Sequence, residues 1–62
     1  MTTLATFFLL ALPMCEGTID QRACGRYIAN ECVIEQFVAP FEDPDYCIEN
    51  EIEKLGPEWW EE

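Results

Sequence analysis

This sequence predicts an all-α fold, with three short helices at about 3–12, 18–38 and 44–55 in a small bundle completed by self-association. Three observations carry that expectation. The first apolar run is bounded by threonines and a proline. Two further segments open on helix-capping patterns. No segment shows the sustained apolar/polar alternation of a half-buried strand, although residues 31–39 are β-branched enough to keep a strand open there.

The first helix, about Thr3 to Leu12, takes Thr2 or Thr3 as N-cap and is stopped by Pro13. Leu4, Ala5, Phe7, Phe8, Leu9, Leu10, Ala11 and Leu12 make it apolar nearly all round, so it must be covered on most sides. Two partner helices are too few for that, and Phe7, Phe8 and Leu10 are therefore assigned to a homodimer interface. The second helix opens on Thr18-Ile19-Asp20-Gln21, a capping-box pattern. Ile19, Ala23, Tyr27, Ile34, Phe37 and Val38 form its main apolar stripe, and Cys24, Ile28 and Cys32 a weaker flank. Gly25 either admits close packing or breaks the helix. In the third helix Asp43 is the N-cap, Pro44 the first helical residue, and Gly56-Pro57 the stop, with Ile48, Ile52 and Leu55 as the buried stripe. A Trp-containing acidic tail, 57–62, follows within the same single domain.

The run from Leu4 to Cys15 also has the length of a secretory h-region, and Cys15-Glu16-Gly17 is a passable cleavage site. The segment before it lacks Lys and Arg, and cleavage after Gly17 would leave three cysteines. A buried helix is the preferred reading, with a secreted, disulfide-linked peptide lacking residues 1–17 as the alternative. About twelve apolar residues are too few for a transmembrane span, which needs about 20.

A chain of 62 residues buries only about 60% of its unfolded surface, so its stability is marginal without reinforcement. Hydrophobic residues make up 50% of it, too many for a disordered segment. The charge is one-sided. Residues 1–30 balance Glu16 and Asp20 against Arg22 and Arg26, whereas residues 31–62 set eleven acids against Lys54 and carry the whole net charge of −10. Such a field repels nucleic acid and anionic membranes and attracts basic surfaces. Solubility alone is the simpler explanation.

The chemistry of catalysis is missing. The chain has no His, no glycine-rich phosphate loop, no calcium-loop pattern and no C-x-x-C. No enzyme activity, cofactor or metal is expected. Cys15, Cys24, Cys32 and Cys47 are read as buried free thiols of a cytoplasmic protein, disulfides being the second choice and a metal site the third. Spacing cannot choose among the three pairings, but Cys24 and Cys32, two turns apart on one helix, should not pair with each other.

Asp45, Glu49 and Glu53 recur every four residues, about 6 Å apart along the third helix. Successive phosphates of a nucleic-acid strand are a comparable distance apart. Like charges at this spacing cost a helix a few tenths of a kcal/mol per pair. With Glu42 extending the row and Trp59 and Trp60 as interface anchors, the expected partner surface is Glu42, Asp45, Glu49, Glu53, Trp59 and Trp60. The expected partner is a basic protein surface, such as that of a nucleic-acid-handling enzyme, which the protein inhibits as a nucleic-acid mimic. Size and charge are similar to those of bacteriophage proteins that inhibit host nucleic-acid enzymes or CRISPR complexes, a likeness with no motif behind it. A structural or assembly subunit is the remaining alternative, and the tryptophans have a plainer role open to them, folding back over a thin core.

Overall fold

Thr3 starts the first helix: its side chain accepts from the Thr6 amide at 3.2 Å, and α1 runs Leu4–Met14. The computed structural model describes residues 2–40 and 43–60. The order is α1, α2 (Gln21–Val38), α3 (Pro44–Lys54) and a single 3₁₀ turn, η1 (Pro57–Trp59), with no strand among the described residues. The three helices form a small all-α globule in which α1 lies along α2 and α3 packs against both.

Pro13 is accommodated inside the last turn of α1 rather than ending it at Leu12. The chain reverses at Gly17, whose φ of 95° is the one left-handed residue described. Thr18 does not cap α2. Its hydroxyl donates to the Cys15 carbonyl at 2.6 Å and ties down the reversal. Asp20 is the cap instead, accepting from the Ala23 amide, while Gln21 reaches back to the Leu12 carbonyl at 2.7 Å. The capping signal was present in the sequence and the structure shifts it by two residues. Helix α2 passes through Gly25 without a break. A Cβ there would lie 3.2 Å from both Phe8 Cε1 and Leu12 Cδ2, so the glycine serves the close approach of α1. A clamp joins the far ends of these helices: buried Gln36 donates to the Thr2 carbonyl at 2.7 Å and accepts from the Thr2 amide at 3.1 Å.

The expectation of free thiols is overturned. Cys15 is bridged to Cys24 and Cys32 to Cys47, with Cα separations of 5.9 and 6.0 Å, well inside the usual range for a disulfide. The first bridge staples the α1–α2 reversal and the second joins α2 to α3. All four half-cystines sit in the core with Phe7, Ala11, Ile28, Ala29 and Ile48. In a chain too short for a large hydrophobic core, the bridges supply the missing reinforcement.

The bridges also set which side of α2 faces inward. Cys24, Ile28 and Cys32 are buried, whereas Ile19, Tyr27, Ile34, Phe37 and Val38, expected to form the core stripe, are exposed. The flank with fewer apolar residues is the inner face because its cysteines are joined to the C-cap of α1 and to α3. On α3, Ile48 is buried, with Ile52 and Leu55 half-buried against the core.

Phe7, assigned to a dimer interface, is fully enclosed by its own chain, and Phe8 and Leu10 are half-buried against the core. Two partner helices therefore do cover Phe7. The large apolar side chains of α1 left exposed are Leu4, Leu9 and Met14.

Candidate protein-binding face

Helix α3 is placed by its N-cap and its disulfide. Asp43 Oδ1 accepts from the Asp45 amide at 3.0 Å, Pro44 takes the first turn, and Cys47 pins the inner side to Cys32. With Cys47, Ile48 and Glu51 buried, a period of 3.6 turns Asp45, Glu49 and Glu53 outward, and all three are exposed. Their helical positions are not equivalent. Asp45 lies in the first turn, where the helix dipole favours a negative charge, and Glu53 in the last turn, where it does not. No ion pair to any of the three occurs among the described residues.

The cation nearest in sequence is engaged elsewhere. Lys54 Nζ lies 3.1 Å from Glu51 Oε2 and 3.8 Å from Glu35 Oε1. Glu51 is almost fully buried, and among the described residues the ion pair is what compensates that oxygen, which has no aligned hydrogen bond. The adjacent Glu51 carboxylate, and after it the charge of Glu35, hold the Lys54 pKa above the ordinary lysine value. The other carboxylate oxygen of Glu35 stands 3.1 Å from Cys47 Sγ. A half-cystine has no S–H, so this is a contact and not a hydrogen bond.

Cys32, Glu35 and Cys47 bring candidate metal-ligand atoms within 4.8 Å of one another. The disulfide removes both sulfurs from the pool of thiolate ligands, so in this oxidised form the cluster offers a metal only the Glu35 carboxylate.

The two tryptophans part company. Trp59 is half-buried, its ring centroid 5.5 Å from that of Tyr27, and its carbonyl accepts from the Ile19 amide at 3.0 Å. It closes the bundle beside the start of α2. Trp60 is exposed. Glu42 lies outside the described residues. Of the expected partner surface, the structure thus groups Asp45, Glu49 and Glu53 on one open face and sets Trp59 into the fold. Two features lie outside the expected surface: Tyr46, which is exposed beside the row, and the outward turn of Ile34, Phe37 and Val38. The Tyr46 position was readable, one residue after Asp45. The orientation of α2 was not, because it depends on the pairing of the cysteines.

No described helix is long and apolar enough to cross a membrane. No protein-family model, curated protein or solved structure matches the chain.

Proposed function

We propose that this is a non-catalytic binding protein that occupies, and so blocks, a cationic surface of a partner protein through Asp45, Glu49 and Glu53. The observation that carries the reading is the segregation of charge on α3. Its lysine is held by Glu51 and Glu35, and its outward row of three carboxylates pairs with no cation among the described residues. A row that served solubility alone would gain from a nearby lysine, since opposite charges at i, i+4 stabilise a helix and like charges do not. The spacing of about 6 Å per step suits a groove shaped for a polyanion, which supports inhibition of a nucleic-acid-handling partner as the narrower reading.

The two bridges favour an oxidising compartment over the cytoplasm. That supports the secreted alternative without deciding whether residues 1–17 are retained. Cleavage after Gly17 would take Phe7, Ala11 and Cys15 out of the core and leave Cys24 without its partner.

The test compares wild type with the Asp45→Gln/Glu49→Gln/Glu53→Gln variant for binding to an immobilised Arg/Lys peptide at low and physiological salt. Wild type should bind more tightly, and its advantage should shrink as salt screens the charges over about 8 Å. Equal affinity at both salt concentrations would assign the row to solubility.

A further inference from the structure

Beside the carboxylate row, the end of α2 and the start of α3 enclose an open groove of about 450 Å³ lined by Glu35, Val38, Ala39, Pro40 and Tyr46. Its two largest apolar side chains project into solvent, Val38 being 80% and Tyr46 62% exposed. Ile34, four residues before Val38 on α2, extends the apolar surface beyond the groove, and it and Phe37, the residue next to Val38, are also exposed. In a folded monomer an apolar cluster of this kind marks a contact site. The groove has acids on both sides: Glu35 in its wall, and Asp45 next to Tyr46 on the open face of α3.

We propose that this groove receives a large apolar side chain from a basic, amphipathic segment of the partner protein, whose cations meet Asp45, Glu49 and Glu53. The proposal rests on the reading of α3 as a cation-binding face and adds its specificity element. Charge complementarity selects the occupant. A second copy of this chain would bring a further net charge of −10 against the same acidic face, which opposes association. A basic segment is attracted instead, and its apolar residue replaces water over Val38 and Tyr46. The carboxylates then provide salt-sensitive attraction, and the groove distinguishes one cationic segment from another.

Three synthetic peptides test this: Lys/Leu amphipathic, Lys/Ser of equal charge, and Glu/Leu of equal apolar content, each titrated into wild type and into the Val38→Ser/Tyr46→Ala variant. Both substituted side chains are exposed, and unchanged affinity for the Lys/Ser peptide verifies that the variant is folded. Wild type should bind the Lys/Leu peptide about tenfold more tightly than the Lys/Ser peptide, the factor expected from burying one apolar side chain. The variant should lose that difference, and the Glu/Leu peptide should not bind. Equal binding of the two Lys peptides to wild type would overturn the groove and leave the carboxylate row standing. Failure of both Lys peptides to bind would overturn both readings. Binding of the Glu/Leu peptide, or a wild-type dimer in sedimentation that the variant disperses, would overturn the basic occupant.

Discussion

Lys54 and Glu51 form an ion pair at 3.1 Å in which the carboxylate is buried and the lysine exposed. The lysine of α3 therefore neutralises the core side of its own helix and leaves the outward row uncompensated. Removing Lys54 strands a buried carboxylate, whereas removing the Glu51 charge does not strand the exposed lysine. Lys54→Met should lower the melting temperature followed by circular dichroism, and adding Glu51→Gln should restore most of the loss. The pH dependence has a definite sign. A lysine whose pKa is raised by folding contributes stability that is complete below its unfolded value and is lost as pH rises through the folded one. Wild type should therefore lose an alkaline increment of stability that Lys54→Met lacks.

The disulfides should dominate stability. Closing a loop of about 15 residues is worth about 3 kcal/mol, and the Cys32–Cys47 bridge has a sequence separation of 15. Against the small total of a domain this size, Cys32→Ser/Cys47→Ser should shift the urea midpoint strongly downward. Reduction of both bridges should unfold the chain at ambient temperature. The intact oxidised mass should fall short of the reduced mass by the hydrogens of both bridges. An unchanged melting curve on reduction would place the stability in apolar packing alone.

Core and surface apolar residues should respond differently. Ile48 is buried, and its truncation to Ala should cost about 2–5 kcal/mol. Ile52, half-buried, should cost less. Ile34→Ala, at an exposed site, should change stability by no more than about 0.5 kcal/mol. Urea titration of the three variants reads the order directly.

Gly25 gives a steric test of the α1–α2 contact. Ala at this position gains about 1 kcal/mol of helix propensity but meets Phe8 and Leu12 at 3.2 Å, so its net effect should be small. Gly25→Leu has no room against the same side chains and should separate α1 from α2, lowering the melting temperature well below that of Gly25→Ala.

The helices were legible where short-range chemistry defines them. Asp43-Pro44 before α3 and Gly56-Pro57 after it mark its ends in the sequence, and the structure runs it from Pro44 to Lys54. The orientation of α2 was not legible. Its apolar residues fall on two neighbouring stripes, and counting hydrophobic side chains favours Tyr27, Ile34 and Val38. The inner stripe is chosen instead by Cys24 and Cys32, whose partners lie on other elements and whose pairing spacing does not specify. In the candidate site, the spacing of Asp45, Glu49 and Glu53 could be read directly because helical period alone sets it. The fate of Trp59 could not, since it follows from the chain turning at Gly56-Pro57 to meet Tyr27 and Ile19.

The carboxylate row should resist stability-based selection. Glu53→Gln removes a charge that the last turn of α3 disfavours, together with its repulsion from Glu49, and should stabilise the protein by a few tenths of a kcal/mol. Asp45→Gln gives up a favourable position in the first turn and should not stabilise. Thermal melts of the two single variants check the order.

The most direct test of cation binding through α3 is residue-resolved NMR of the isotope-labelled, oxidised protein titrated with an oligo-arginine peptide. Binding through the row predicts amide shifts concentrated between Asp45 and Glu53 and reversed by added salt. Shifts of equal size at Glu16, Asp20 and Glu58, acids outside the row and also exposed, would contradict it and reduce the carboxylates of α3 to part of a diffuse negative surface.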